Sequence, residues 1–338
     1  MKEKMILLTA GVVMCLLPSA GFAQQKLAQS GFQFLNVVSD ARGAAMADAM
    51  TSLQLGSSSL FFNPAGMTDL EGSVDVAGST NKWIADITHN TFSVEVNPDQ
   101  GRYGVMGFSL QYVSYGDFYK TVVDQASPQG YDDLGTFKLT AMALGIGYAK
   151  KLTEQFSVGG QIKWLHQDLG TSIIPLVSGS DTSTQSVANK LSPLAFDFGT
   201  QFKTGIKSLV FGMSVRNFSQ QVKYDDEGFQ APLVFSLGIS MNLFDLSSDL
   251  PVTQSLLMSV DASHYTDRPE EVKASLDYRL FNAVSFRVGY SSTNSVNEEG
   301  NGFSYGIGLT KFGLTVDYAY TPFGDFGNVQ RATVRFLM

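Results

Sequence analysis

The sequence predicts an all-β protein: a transmembrane antiparallel β-barrel of about fourteen strands, with an N-terminal plug that contains short helices. About fourteen runs of alternating apolar and polar residues follow residue 73, mostly about 8 to 12 residues long, as a tilted strand needs to cross a bilayer. Every second connection between these runs is short, which is typical of outer-membrane barrels. Only 16% of the residues are charged, against about 25% in ordinary soluble domains.

The chain begins with a segment typical of a secretory signal peptide. It contains Lys2 and Lys4, an apolar run over Met5–Leu17, and small residues before a predicted cut after Ala23. The apolar run has about 13 residues, fewer than a membrane-spanning helix needs. We therefore expect the first 23 residues to be removed, together with Cys15, the one cysteine of the chain.

The charge of the chain excludes nucleic acid as a partner. The full sequence has a net charge of −8, and loss of Lys2, Lys4 and Glu3 with the leader makes it −9. Binding to phosphates requires a concentrated basic surface, which this composition does not provide.

The region after the leader divides into two parts. Residues 24–72 show no strand pattern and are expected to form a hatch, or plug, and residues 73–338 are expected to form the barrel. Strands are predicted to start near residues 73, 89, 103, 137, 155, 192, 207, 232, 254, 271, 284, 302, 313 and 330. The even strand count places both ends of the barrel on the side of the short turns.

The alternation predicts which face of each strand meets lipid. In "QFSVGGQIKWL" the positions of Phe156 and Ile162 form an apolar face, whereas Gln161 and Lys163 lie on a polar one. A secreted β-sandwich would alternate in the same way, but strand length, loop parity and low charge favour the membrane barrel. The side chains expected to face lipid include Phe156, Val158, Ile162, Val288 and Leu314.

The polar faces of the strands carry charges of both signs, which we expect to pair across the lumen. Those charges include Lys163, Asp197, Asp277, Arg279, Arg287, Asp317 and Arg335. Aromatic residues near strand ends suit the interfacial girdles. The residues expected there are Tyr112, Tyr148, Trp164, Tyr265, Tyr278 and Tyr320.

Three connections are long: residues 114–136, 168–191 and 218–231. They are expected to be external loops, because short turns lie on the periplasmic side of such barrels. The short turns leave little surface for binding, so we expect the first two long loops to contact partners.

Two stretches of the hatch have helical signals. "SDARGAAMADAMTSL" has helical propensity, with Ser39 or Asp40 as N-cap. "NPAGMTDL" is expected to start a short helix capped by Asn63, with Pro64 at its first position.

The two aromatic residues before that helix are candidates for holding the hatch in place. Phe61 and Phe62 are expected to anchor it on apolar residues of the inner wall, or to line a pocket there.

No enzyme is expected. The histidines His89, His166 and His264 lie on or near different strands without HxH or HExxH spacing, so neither a metal nor another cofactor is predicted. Ser263 next to His264 is the one pair that resembles a hydrolase site, and a histidine near a strand end is usually an interface or loop residue.

Residues 34–66, "FLNVVSDARGAAMADAMTSLQLGSSSLFFNPAG", resemble the N-terminal signature of the PorV/PorQ family of outer-membrane proteins, which is related to the FadL long-chain fatty acid transporters. The elements that match are Ala41-Arg42 with the following Ala-Met run, and Asn63-Pro64-Ala65. One departure is Ala47-Asp48, where such sequences often have Met-Gly or Gly-Gly.

The resemblance implies a FadL-type barrel in the outer membrane of a Gram-negative bacterium, in contact with outer-membrane lipids. It implies a role in type IX protein secretion, through a translocon and secreted cargo, and the sequence does not separate PorV from PorQ. The alternative is diffusion of hydrophobic small molecules such as long-chain fatty acids. In either case Arg42, Phe61, Phe62, Asn63, Pro64 and Ala65 would form the hatch or its pocket.

Overall fold

A computed structural model describes residues 30–69, 72–123, 127–178, 181–224, 227–246, 253–292 and 302–338. The predicted signal peptide and the first residues of the hatch segment lie outside these ranges. "Hatch" below refers to residues 30–69.

The described chain forms a closed antiparallel β-barrel. β6 and β7 pair with successive parts of β5 and together make one wall strand, so fourteen strands form the wall. β1 pairs with β17 and β4 with β5, which closes the sheet. The strands are Val74–Lys82 (β1), Thr88–Val96 (β2), Val105–Val123 (β3), Tyr131–Lys151 (β4), Phe156–Ser178 (β5), Asp181–Leu191 (β6), Leu194–Lys203 (β7), Val210–Ser219 (β8), Val222–Lys223 (β9), Gly228–Phe229 (β10), Val234–Asn242 (β11), Gln254–Tyr265 (β12), Glu271–Leu280 (β13), Val284–Ser291 (β14), Phe303–Lys311 (β15), Leu314–Pro322 (β16) and Asn328–Leu337 (β17).

The helices are all short. One α-helix, Ala41–Ala45 (α1), lies in the hatch, with 3₁₀ helices at Gln33–Asn36, Gly56–Phe61 and Pro64–Asp69. Further 3₁₀ helices connect strands at Ile84–Asp86, Pro98–Gly101, Leu243–Leu246 and Gly324–Phe326. Within the described ranges, no helix has the length and apolarity to cross a membrane.

The predicted barrel is confirmed, including its fourteen wall strands. The prediction of two long loops at residues 114–136 and 168–191 is wrong, because most of the described residues of both ranges extend β3, β4, β5 and β6 as paired hairpins. Beyond the membrane both faces of a hairpin meet water, so the alternation that marks a strand is lost there. "Hairpin rim" below means the barrel end with these hairpins, and "turn rim" the end with the six short connections.

Burial alternates along the strands as the sequence predicts. On β5, Ser157, Gln161 and Lys163 point into the barrel and are buried, whereas Ile162 and Trp164 are exposed on the outside. Among the other expected lipid-facing residues, Leu314 is exposed and Phe156, Val158 and Val288 are half-exposed.

Tyr265 is the exception among the expected girdle residues. It shares the inward face of β12 with Asp261 and Ser263 and is buried. Its hydroxyl lies 2.9 Å from Lys273 Nζ, and the Arg268 guanidinium stacks 3.7 Å from its ring centroid. The girdle prediction was based on how near a residue lies to the end of its strand. Alternate residues of a strand point to opposite faces, and this alternation places Tyr265 on the inner face of the wall. Tyr112, Tyr148 and Trp164 are exposed, and Tyr278 and Tyr320 are half-exposed.

We expect Ile162→Arg to lower the free energy of unfolding in lipid by about 2 to 4 kcal/mol, because it places a charge on the lipid face. Urea titration in vesicles measures this. Leu134→Arg is the matched control, since Leu134 is equally exposed but lies on the hairpin beyond the membrane. Equal losses for both variants would contradict the lipid-facing assignment.

Candidate functional site: the hatch inside the barrel

The hatch has an apolar core of its own. Phe62 is buried with Met46, Met50, Leu53 and Leu55, all from the hatch, and the wall adds the partly buried Leu257. Phe61 is half-buried and lines a small internal cavity with Phe62. Phe61 and Phe62 were expected to anchor the hatch on the wall or to line a pocket. Both line the small cavity, and Phe62 packs mostly on other hatch residues and not on the wall.

Phe32 and Phe34 make the apolar anchor on the wall, and the sequence reasoning missed them. Both are buried against small and aliphatic wall residues: Val113, Ala141, Ala143, Leu165, Ala195 and Ala231. The available signal was a run of alanines on the inward face of several strands, where lumen-facing residues are otherwise polar. Such alanines leave room for large side chains from the hatch.

Asn63 holds the second half of the hatch at the wall. Its Oδ1 accepts a hydrogen bond from Ala65 N at 3.1 Å, which caps the 3₁₀ helix that Pro64 begins. Its Nδ2 donates to the carbonyls of Thr51 at 2.7 Å and Thr200 at 3.1 Å. One amide group thus fixes the helix start, a hatch turn and a wall strand.

Asp40 caps α1, since its carboxylate accepts from Gly43 N at 2.7 Å. Helix α1 ends at Ala45, earlier than the Ala/Met-rich stretch predicts, and Ala47 and Asp48 then adopt left-handed conformations with φ of 51° and 63°. Glycine takes this conformation without strain, whereas alanine and aspartate do so at a cost.

Two ion pairs hold Asp48 in that conformation. Its Oδ2 lies 2.6 Å from Lys273 Nζ and 3.4 Å from Arg216 Nη2, and both cations come from the inner wall. Arg216 Nη1 also donates to the Phe61 carbonyl at 2.7 Å. Asp48, one of the two residues that depart from the resemblance described above, therefore makes a contact between hatch and wall.

Arg42 forms a second charged contact between hatch and wall. Its guanidinium lies 3.1 Å from Asp277 Oδ2, which Arg287 Nε also approaches at 3.1 Å. Arg287 Nη1 pairs in turn with Asp317 at 2.6 Å. Three of the predicted lumen charges and one predicted hatch residue thus belong to one buried network.

A third group of charges lies at the turn rim. Asp69, at the end of the hatch, pairs with Lys203 at 2.5 Å and also with Lys151. Burial would raise the pKa of the Asp69 carboxyl, but the two lysines outweigh burial and hold that pKa below its usual range. Asp69 is therefore ionised at neutral pH and holds the last turn of the hatch between two wall strands.

Wall side chains also satisfy the irregular backbone of the hatch. Gln111 Nε2 donates to the Phe34 carbonyl at 2.9 Å, Gln201 Nε2 to that of Leu53 at 2.8 Å, and Arg331 Nε to that of Val38 at 2.7 Å. Buried carbonyls without such donors would be costly. The polar lumen is thus fitted to the hatch.

The remaining predicted lumen charges also point inward. Lys163 pairs with Asp197 at 2.8 Å, and Arg335 with Asp75 at 2.5 Å. Arg279 is half-buried and lines a cavity of about 240 Å³ at the turn rim. Lys163 lines the small internal cavity with Phe61 and Phe62, whereas Arg279 and Arg335 line the cavity at the turn rim, so the predicted residues form several contacts along the hatch and not one site.

A larger cavity of about 380 Å³ lies on the hairpin-rim side of the hatch. Its lining is amphipathic, because Trp83 and Phe323 supply aromatic surface and Arg268, Lys273 and Arg331 supply positive charge. The Arg331 guanidinium lies 5.5 Å from the Trp83 ring. We call this space the outer cavity.

The histidines lie apart from one another. His89 is buried beside Trp83, whereas His166 is half-exposed and contacts Ser192, and His264 is exposed and contacts Glu270. In the described ranges, no group of three or more His, Cys, Asp or Glu side chains is placed to hold a metal ion.

A family model described as "PorV: Type IX secretion system protein PorV" matches residues 21–260, which include the hatch and most of the wall. No curated protein matches the chain.

Solved structures show the same fold at low sequence identity. The CymD monoaromatic hydrocarbon channel has a TM-score of 0.57 at 10% identity, covering 89% of this chain and 97% of its own. The Pseudomonas putida toluene transporter TodX has a TM-score of 0.55 at 11% identity, covering 92% and 98%. A Pseudomonas aeruginosa FadL homologue has a TM-score of 0.50 at 13% identity, covering 93% and 99%.

Proposed function

Because the chain belongs to the PorV family of type IX secretion proteins, we propose that it lies in the outer membrane of a Gram-negative bacterium and presents its long hairpins to the secretion machinery or its cargo. The turn rim would then face the periplasm and the hairpin rim the exterior. In this role the barrel is a membrane anchor and docking platform. It carries out no catalysis.

The observation that supports docking is the form of the two hairpins. β3, β4 and β5 are 19, 21 and 23 residues long, about twice what is needed to cross a bilayer. The excess length projects from the hairpin rim and exposes apolar side chains, among them Tyr119, Val123 and Leu134. Exposed apolar surface outside the membrane is typical of binding sites for other proteins.

The filled lumen is a second reason to place binding on the hairpins. Charged, apolar and backbone contacts join the hatch to the wall along its whole described length. A secreted protein could not pass through this barrel without displacing all of them. We therefore propose that cargo or a translocon binds outside the lumen.

We expect replacement of residues 118–135 by a two-residue turn to abolish partner binding while leaving the barrel folded. Co-purification in mild detergent measures the binding, and heat-modifiable migration reports the folding. The same shortening of residues 171–188 in the second hairpin is the matched variant. If both shortened proteins still retain the partner, the hairpins are not the docking surface.

The outer cavity favours a second candidate function, the binding or passage of hydrophobic small molecules. The aromatic side chains of its lining, Trp83 and Phe323, offer contacts to an apolar ligand. The similar folds of a hydrocarbon channel and a toluene transporter support this second function. Uptake of a radiolabelled monoaromatic hydrocarbon or fatty acid by vesicles holding the purified protein tests it. Uptake no faster than in empty vesicles would exclude this function.

A further inference from the structure

The six connections at the turn rim share a feature that secretion does not require. Each carries a large apolar residue among its described residues, and these side chains are between 58% and 89% exposed. The six residues are Tyr103, Leu152, Ile206, Leu246, Phe281 and Phe312. We call them the turn-tip ring.

Two members of the ring adopt unfavourable backbone conformations. Phe281 and Phe312 have φ of 54° and 51° in the tight β13–β14 and β15–β16 turns. Glycine, asparagine or aspartate is usual at such positions, because a bulky side chain crowds the left-handed backbone. Both rings are exposed, so packing within the protein does not compensate for the strain. Strain of this kind points to a function of the side chain.

Cationic residues accompany four of the six ring members. Arg102, Lys151, Lys207 and Lys311 are direct chain neighbours of Tyr103, Leu152, Ile206 and Phe312. The Lys311 ammonium lies 5.0 Å from the Phe312 ring, and the Arg102 guanidinium lies 5.6 Å from the Tyr103 ring. Basic residues thus recur at the turn tips of a chain whose net charge is −8.

The ring continues the lipid-facing band of the wall. Leu309, Leu314 and Phe336, all exposed on the outside of the barrel, lie beside the turn that carries Phe312. Aromatic and basic side chains together suit the headgroup layer of a bilayer, where apolar groups reach the acyl chains and cations meet phosphates. Short turns keep these tips close to the end of the membrane-spanning strands.

We propose that the turn-tip ring inserts into the phospholipid headgroup layer at the turn rim and fixes the depth of the barrel in the membrane. The partner is the lipid leaflet itself. Phe281 and Phe312 supply the aromatic contacts, and Arg102, Lys207 and Lys311 bind lipid phosphates, whereas Lys151 is paired with Asp69 of the hatch.

Depth-dependent quenching tests this directly. Phe281→Trp and Phe312→Trp are made singly in a Trp83→Phe, Trp164→Phe background and placed in nanodiscs with lipids brominated near the headgroup. We expect both indoles to lose emission to the brominated lipid and to be shielded from aqueous iodide. Tyr119→Trp, on the hairpin beyond the membrane, is the control and should show the opposite behaviour. Indoles at positions 281 and 312 that behave like this control would overturn the proposal.

A second experiment compares stability in detergent and in lipid after the backbone strain at Phe281 and Phe312 is relieved. Phe281→Asn with Phe312→Asn removes the aromatic rings and suits the left-handed turns, so the urea midpoint in detergent should stay equal or rise. In phospholipid vesicles the same variant should have a lower midpoint than the native chain, because it loses the headgroup contacts. A rise in both media would show that the rings do not bind lipid, and the proposal would fail.

Discussion

Asp277→Ala is expected to lower the free energy of unfolding by about 3 to 5 kcal/mol, because removing one partner of a buried ion pair leaves the other charge uncompensated. The Asp277 carboxylate forms ion pairs with Arg42 of the hatch and Arg287 of the wall, and all three side chains are largely buried. Without this carboxylate, Arg42 has no described ion-pair partner, and the hatch keeps only the Asp48–Lys273 ion pair among its described ion pairs with β13. Urea unfolding in detergent, followed by circular dichroism and heat-modifiable migration, measures the loss.

Two variants show whether burial causes the effect. Asp117→Ala removes a similar pair with Lys138 at 3.5 Å, but this pair is exposed on the hairpin, so its loss should be within about 0.5 kcal/mol. The double change Asp277→Leu with Arg42→Met should recover part of the stability, since apolar residues of similar size avoid the unpaired charge. Equal losses for Asp277→Ala and Asp117→Ala would contradict a buried network.

Phe62→Ala is expected to destabilise the packed hatch by about 3 to 5 kcal/mol, because it opens a cavity in a closely packed cluster. Phe62 contacts Met46, Met50, Leu53 and Leu55, whereas the wall is held by its own ladder of backbone hydrogen bonds. The hatch should therefore loosen inside an intact barrel. Amide hydrogen exchange should become faster in residues 41–69 and stay slow in the wall strands.

Phe61→Ala is the matched control, because Phe61 is adjacent in the chain but only half-buried, and its truncation should have a smaller effect on exchange. Passage of small solutes through vesicles should rise for Phe62→Ala and for Phe61→Ser with Phe62→Ser. Unchanged exchange in the Phe62→Ala hatch would show that the charged contacts alone hold it.

The sequence predicted the wall well because alternation along a strand depends only on which side meets lipid. Residues such as Ile162 and Lys163 are assigned from their immediate neighbours, and the fourteen strand starts follow from the same local pattern. The two long hairpins were assigned as loops because, outside the bilayer, neither face of a strand is apolar enough to show a period.

By itself, the sequence determined the barrel, its strand count, the direction of its lumen charges and the cap at Asn63, and it narrowed the other cap to Ser39 or Asp40, since each depends on residues close together in the chain. Only the tertiary structure decided which charges meet. The partners of Asp48 and Arg42 come from strands at least 168 residues away, and Phe32 and Phe34 reach alanines on several strands. Closing the barrel brings these residues together, and one sequence carries no local pattern for contacts at such separations.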